Sequence, residues 1–126
     1  MPHTAGAAAH PVQRPRPGMP MVDHELDELK REFLDEARGK VDEMQTALES
    51  VRTREAQDRL TYLAHQLKGS GGSYGFQRIS TDAAALEKVL ETNEGAEGLE
   101  EKVQQHVLNL RAEIDRCKRE LALAAS

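Results

Sequence analysis

The sequence has a single cysteine and only four aromatic residues in a chain of 126. Because Cys117 has no partner in the chain, an internal disulfide is excluded. A core with so few aromatic side chains has to be built from leucine, valine, isoleucine and alanine, which favours helices over a β-sandwich. No apolar run approaches the roughly 18 residues of a membrane-spanning helix, and the N-terminus lacks the apolar segment of a signal peptide. We therefore expect a soluble, cytoplasmic protein.

The chain also has fewer basic than acidic residues. It has 17 lysine and arginine residues and 22 aspartate and glutamate residues, which gives a formal net charge of −5. A protein that binds nucleic acid normally carries a basic stripe that would reverse this balance. We therefore expect neither nucleic acid nor a membrane as a partner. The length allows one modest domain, so a kinase with its own ATP-binding module does not fit.

Proline is confined to one end of the chain. All five prolines lie in the first twenty residues, among small residues and two arginines that offer little to bury. Such a composition predicts disorder. We expect residues 1–20 to form a disordered, proline-rich tail and residues 21–126 to fold as one domain.

Four stretches of the remaining chain carry apolar residues at every third or fourth position, the spacing of one face of a helix. They run from Leu26 to Val51, from Ala56 to Leu67, from Phe76 to Leu90 and from Leu99 to Leu121. Polar residues predict a break between the first two stretches, at Ser50 or Thr53. Short connections between amphipathic helices imply antiparallel neighbours. The predicted fold is therefore all-α, an antiparallel up-down four-helix bundle preceded by the disordered tail.

A glycine-rich segment after the second apolar stretch does not fit a plain bundle, because each glycine inside a helix costs roughly 1 kcal/mol relative to alanine. In one interpretation the helix ends at Gly69 and a flexible loop follows. In the other the helix continues, and a projection at ~100° per residue points His65 away from the core. Lys68, Gly69 and Gly72 then share this outward face. Gly71 faces the core, where another helix can approach closely.

An exposed imidazole beside a cation suits phosphoryl chemistry on a docked protein. An ordinary histidine has a pKa of about 6.5, so at neutral pH a ring nitrogen has a lone pair available to attack phosphorus. The transferring group spreads negative charge over its oxygens, and a nearby ammonium group stabilises that charge. His65 is therefore the candidate phosphoacceptor, and Lys68 is the candidate for stabilising the phosphoryl group.

At these residues the sequence resembles the histidine-containing phosphotransfer (HPt) family. The family pattern His-x-Leu-Lys-Gly-Ser occurs at residues 65–70, followed by small residues and Gly75. The resemblance extends over the region from about Phe33 to Leu121. It implies a four-helix bundle in which His65 accepts a phosphoryl group from a receiver-domain aspartate or a histidine kinase. It also implies that His65 passes the group to another receiver aspartate, within a two-component phosphorelay.

The same resemblance implies roles for neighbouring residues. Lys68 would contact the phosphoryl group, and Ser70 would support the motif from within. Helix packing and partner docking would be permitted by three glycines, Gly69, Gly72 and Gly75. In the chemotaxis-kinase branch of the family a glutamate on the following helix hydrogen-bonds the histidine. By spacing that position falls on Glu87, which equally suits a solvated charge.

The resemblance also sets the expected partners and cofactors. The partners would be response-regulator receiver domains, a sensor histidine kinase, or both. No cofactor and no metal are expected on this chain, and Mg²⁺ would be supplied by the partner receiver domain. Because no ATP-binding, dimerisation or receiver signature accompanies the motif, we expect a monomeric carrier rather than an enzyme.

Other candidate sites have simpler explanations. His106 lies among apolar positions of the fourth helix and is expected at the edge of the core. His24 and Glu28 have a spacing that suits a shared metal, but no third ligand is evident. A nucleotide-binding P-loop needs lysine after its final glycine, whereas Lys68 precedes the glycines.

Two other functions stay open at this point. A helical-bundle adaptor would bind a receiver or kinase domain without carrying phosphate, although the presence of both His65 and Lys68 argues against it. An enzyme that turns over small phosphate esters through a nucleophilic histidine would need a substrate pocket and a second acid, and the sequence indicates neither.

Overall fold

The computed structural model describes residues 23–92 and 97–125. Within these ranges the chain forms α1 (Asp23–Ala47), a 3-10 turn (Leu48–Ser50), α2 (Arg54–Ser73), α3 (Gln77–Thr92) and α4 (Leu99–Ala125). Helix α1 packs against α2 and α4, and α3 packs against the same two helices. The predicted four-helix bundle is therefore confirmed. The predicted tail at residues 1–20 lies outside the described residues.

Aliphatic side chains from all four helices form the core. The largest fully buried ones are Leu34, Met44, Leu60, Leu63, Leu67, Ile79, Leu86, Leu110 and Ile114. Burying each such side chain contributes about 1.5–3 kcal/mol, and this burial holds the helices together. No helix among the described residues has the length and apolarity needed to cross a membrane.

The first helix is shorter than the apolar spacing predicted. It was expected to continue to Val51, but α1 ends at Ala47 and the chain turns before α2 begins. Thr53 caps α2, because its Oγ1 accepts a hydrogen bond from the Ala56 backbone nitrogen at 3.1 Å. Val51 is still buried, so its apolar character reflects a core position in the turn rather than another helical residue. The segment between α1 and α2 begins before the predicted break but contains both residues predicted for it, Ser50 and Thr53.

Two leucines of α1 differ from their predicted positions, and α1 packs antiparallel to α4. An ion pair joins Asp35 Oδ1 of α1 to Lys118 Nζ of α4 at 3.0 Å, as expected for antiparallel neighbours. Leu26, near the start of α1, is exposed although its spacing predicted a core position. Leu34 is fully buried although the sequence analysis did not place it in the core. Because α1 packs against two helices, its buried face is wider than a single stripe.

Candidate functional site

Helix α2 continues through the first three glycines and ends at Ser73. The interpretation in which the helix stops at Gly69 is therefore wrong. Leu63, Leu67 and Gly71 are buried at four-residue intervals, so the core-facing stripe of α2 extends into the glycine-rich segment. Packing along this stripe offsets the roughly 1 kcal/mol by which each glycine disfavours the helix relative to alanine.

Gly71 lies against the start of α3. A Cβ atom at this position would lie 3.2 Å from the backbone nitrogen of Ser80 and 3.2 Å from Cγ2 of Ile79. Both distances are shorter than an ordinary van der Waals contact. Glycine therefore lets α2 and α3 approach closely here, as the helical projection predicted for Gly71.

Gly75 ends α2 through a local backbone motif. Its φ of 85° lies in the left-handed region, which glycine adopts without steric penalty. The Phe76 nitrogen donates to the Gly71 carbonyl at 2.8 Å, and the Gly75 nitrogen donates to the Gly72 carbonyl at 3.1 Å. This pair of bonds is a Schellman motif, which satisfies carbonyl groups at the end of a helix. Gly75 thus turns the chain into α3, a local role that the motif resemblance did not specify.

The imidazole of His65 lies on the exposed side of α2, with 67% of the side chain accessible. Its Nδ1 lies 3.0 Å from Oε2 of Glu87 on α3. Lys68, one turn further along α2, places Nζ 2.8 Å from Oε1 of the same carboxylate. Glu87 therefore bridges the histidine and the lysine, and the hydrogen bond that the family resemblance implied for it is present.

The ionisation of Glu87 determines which nitrogen of His65 carries the proton. The Glu87 side chain is only 15% exposed. The hydrogen bond from Lys68 lowers the pKa of Glu87, burial opposes this effect, and the hydrogen bond from His65 adds to the lowering. Glu87 is therefore ionised at neutral pH and only accepts hydrogen bonds. A neutral His65 consequently carries its proton on Nδ1, and its lone pair is on Nε2.

The two other glycines of α2 lie in different surroundings. A Cβ atom at Gly69 would have no atom within 4 Å, so Gly69 leaves open surface one turn from His65. Gly72 is half-buried, and a Cβ atom there would lie 3.7 Å from Oγ of Ser80. The helical projection treats α2 in isolation and placed both glycines on the outward face. In the bundle, α3 partly covers Gly72.

Tyr62 provides an exposed aromatic surface one turn before His65. The residue is 51% exposed, and the Arg59 guanidinium carbon lies 5.2 Å from the centroid of its ring. Gln66 Nε2 donates a hydrogen bond to the Tyr62 hydroxyl at 2.8 Å. Arg59 also forms an ion pair with Glu43 of α1. These contacts hold the ring in place beside the imidazole.

Two serines lie close to the motif. Ser70 is half-buried, and its carbonyl accepts a hydrogen bond from the Tyr74 nitrogen at 3.0 Å in the last turn of α2. The supporting role of its side chain stays a prediction. Ser80 of α3 was not identified from the sequence, but its hydroxyl donates to the Lys68 carbonyl at 2.8 Å. A serine near a helix start is common, so no sequence signal distinguished it.

Two further histidines, His24 and His106, lie within the described residues. His106 is half-buried on α4, which confirms its expected position at the edge of the core. His24 is exposed in the first turn of α1. Across residues 23–92 and 97–125, no three His, Cys, Asp or Glu side chains form a group that suits a metal ion.

A comparison with protein families matches residues 28–120 to the family described as the Hpt domain. The matched region contains His65, Lys68 and Glu87, together with most of the four helices. No curated protein and no solved structure matches the chain.

Proposed function

Because this chain belongs to the Hpt domain family, whose members carry phosphoryl groups in two-component phosphorelays and are not themselves kinases, we propose that His65 is its phosphoacceptor. The observation that supports this assignment is the exposed imidazole whose Nδ1 is bonded to the ionised Glu87. This contact leaves Nε2 as the nucleophilic atom. The histidine also lies on an exposed helix surface, which suits a docked protein better than a small phosphate ester.

Phosphoryl transfer starts with the attack of the Nε2 lone pair on the phosphorus of a receiver-domain aspartyl phosphate. The P–N bond forms as the P–O bond to the aspartate breaks, and the electron pair of that bond returns to the aspartate carboxylate. Because Nδ1 keeps its proton, the ring becomes cationic. Glu87 Oε2, 3.0 Å from Nδ1, stabilises this charge. Transfer to a second receiver aspartate reverses these steps.

Lys68 acts by exchanging partners during transfer. Its Nζ is bonded to Glu87, and its side chain is 39% exposed. Ion pairs between partly exposed groups contribute about 1 kcal/mol or less. The ammonium group therefore moves to a phosphoryl oxygen at small cost when the group arrives at Nε2. Glu87, relieved of one cation, then interacts more strongly with the cationic ring.

The proposed docking surface consists of Tyr62, His65 and Gly69. Gly69 leaves the backbone bare one turn after the histidine, and Tyr62 provides an apolar ring one turn before it. A receiver domain settling on this surface brings its aspartate towards Nε2. Gly72, although partly covered by α3, lies at the far edge of the same face.

Receiver domains are the proposed partners, with a sensor histidine kinase as a second possible phosphoryl donor. The carrier would act as a monomer and would bind no cofactor of its own. In this proposal Mg²⁺ is held by the receiver domain beside its aspartate.

The proposal is tested by incubating the protein with a ³²P-phosphorylated receiver domain. We expect label on this chain that is lost in acid and stable in alkali. His65→Gln should remain folded, because the side chain is exposed, and should take up no label. His24→Gln is the matched control, since it removes another exposed histidine and should label normally.

Two outcomes would contradict the proposal. Label that persists in the His65→Gln variant would show that another residue accepts the phosphoryl group. A stable complex with the receiver domain, without label on the wild-type chain, would support the alternative of a phosphate-free adaptor.

A further inference from the structure

Ser80 joins the start of α3 to the main chain of α2. Its hydroxyl donates a hydrogen bond to the Lys68 carbonyl oxygen at 2.8 Å. In an α-helix this carbonyl accepts from the amide four residues later, but a carbonyl oxygen has two lone pairs and the hydroxyl uses the second. The bond therefore connects the helices without disrupting α2.

The glycines of α2 make this contact possible. A Cβ atom at Gly71 would lie 3.2 Å from the Ser80 backbone nitrogen, and one at Gly72 would lie 3.7 Å from the Ser80 hydroxyl. Because neither glycine has a side chain, the short side chain of Ser80 reaches the backbone of α2.

Ser80 and Glu87 share the side of α3 that faces α2. They are seven residues apart, which is almost two full turns and about 10.5 Å along the helix axis. Lys68 connects their two contacts, because its carbonyl accepts from Ser80 and its Nζ bonds to Glu87. Sliding of α3 along α2 would therefore disturb both contacts together.

We propose that Ser80 is a positioning residue that sets the place of α3 along α2, so that Glu87 meets His65 and Lys68. This inference rests on the proposed function of His65. The Nδ1–Oε2 distance is 3.0 Å, near the middle of the range for a good hydrogen bond, which ends at about 3.2 Å. A shift of about 1 Å would take the carboxylate out of that range. The carboxylate would then no longer hold the proton on Nδ1.

Ser80→Ala tests this inference in the unphosphorylated full chain. The variant removes the hydroxyl but leaves the Lys68 carbonyl with its helical hydrogen bond, so the bundle should remain folded by circular dichroism. The ¹⁵N chemical shifts of the two ring nitrogens report the His65 tautomer. We expect the share of the Nδ1-protonated form to fall in Ser80→Ala. Thr81→Ala is the matched control, because the Thr81 hydroxyl bonds to Arg78 within α3, and it should leave the tautomer unchanged.

The rate of phosphoryl uptake provides a second measurement. Displacements of this size can slow a reaction up to about 100-fold, and we expect Ser80→Ala to lose roughly 10-fold. In a Glu87→Gln background the same substitution should cause no further loss, because Ser80 acts through Glu87. If Ser80→Ala does not fold, Ser80→Cys replaces the hydroxyl with a somewhat larger thiol that is a much weaker donor, and it is measured instead.

The outcomes separate this inference from the proposed function. An unchanged His65 tautomer in a folded Ser80 variant would overturn the positioning role. An equal loss of rate with and without Glu87 would also overturn it, because Ser80 would then act independently of the carboxylate. Absence of phosphate uptake by the wild type would contradict the proposed function, while the tautomer measurement would still decide what Ser80 does.

Discussion

The backbones of Gly71 and Ser80 approach so closely that a Cβ atom on Gly71 would lie 3.2 Å from the Ser80 nitrogen. This approach joins α2 to α3 at one end of the pair. Further along, Glu87 of α3 reaches both His65 and Lys68 of α2. The glycine-rich segment therefore assembles the site, in addition to leaving open surface beside the histidine.

Gly71→Ala should destabilise the protein, whereas Gly69→Ala should not. Both substitutions gain up to about 1 kcal/mol of helix propensity. Only the alanine at residue 71 meets close neighbours, and one of these is backbone. Overpacking of this kind typically costs 1–3 kcal/mol, so the free energy of unfolding of Gly71→Ala should fall below that of Gly69→Ala by about that amount. Urea unfolding of both variants measures the difference. Equal stabilities would show that α3 moves away from residue 71 at little cost in free energy.

Gly69→Leu should slow phosphoryl transfer without destabilising the bundle. A side chain there projects into open space and holds a docked receiver domain away from His65. A misplacement of about 1 Å can slow transfer by about 100-fold. Gly39→Leu is the matched control, because Gly39 on α1 also has no neighbours within 4 Å. Uptake rates and melting temperatures are compared for the two variants, and equal rates would place the docking surface elsewhere.

Lys68→Ala should slow phosphoryl uptake by about 10- to 100-fold rather than abolish it. In the proposed transfer the cation stabilises charge in the transition state. Removing one such group from a site that excludes solvent typically lowers the rate about 100-fold or somewhat more. This site is partly open, and Nε2 of His65 still forms the new bond. Lys88→Ala removes an exposed lysine next to Glu87 in sequence and should keep the normal rate. A normal rate for Lys68→Ala would show that the ammonium group has no part in transfer.

The contribution of Glu87 to stability should disappear in acid. The hydrogen bond from Lys68 lowers the pKa of Glu87 below its ordinary value of 4.5 in the folded protein. The unfolded chain therefore binds this proton more readily, so the contribution is present above pH 4.5 and is lost as the pH falls through the lower folded pKa. The difference in unfolding free energy between wild type and Glu87→Gln should therefore shrink in acid. Urea unfolding across this pH range measures it, and a difference that stays constant would contradict the expectation.

Cys117 should resist alkylation while the protein is folded. The thiol is buried, and burial, followed by the charge of neighbouring Glu113, raises its pKa to about 11. Because the thiolate is the reactive form, iodoacetamide at neutral pH should modify Cys117 only slowly. The same reagent in concentrated urea should react rapidly, and mass spectrometry measures both rates. Rapid modification without denaturant would show that this part of α4 opens readily.

The sequence determined the helices and indicated His65 as the proposed phosphoacceptor. The apolar spacing that forms each helix is local, so the four helices and the break before Thr53 were predictable. The residues around His65 occur together at adjacent positions, so the motif could be recognised without knowledge of the fold. The sequence did not predict fully which glycines other helices would cover. A projection of one helix shows which of its sides faces the core, but it does not show where the neighbouring helices lie. The projection therefore predicted correctly that Gly71 faces the core. It placed Gly72 on the outward face, where α3 partly covers it.

Only the tertiary structure decided how α2 and α3 meet. The sequence left Glu87 as either a partner of His65 or a solvated charge, because the two residues are 22 positions apart and their contact depends on the register of two helices. Burial of Leu34 depends likewise on α1 packing against two neighbours. The hydrogen bond from Ser80 to the Lys68 carbonyl had no sequence signal, since any short hydroxyl side chain makes such a bond wherever packing brings a backbone close enough. Periodicity in a sequence specifies which face of a helix is buried, but the axial position of one helix along another arises from contacts between residues far apart in the chain.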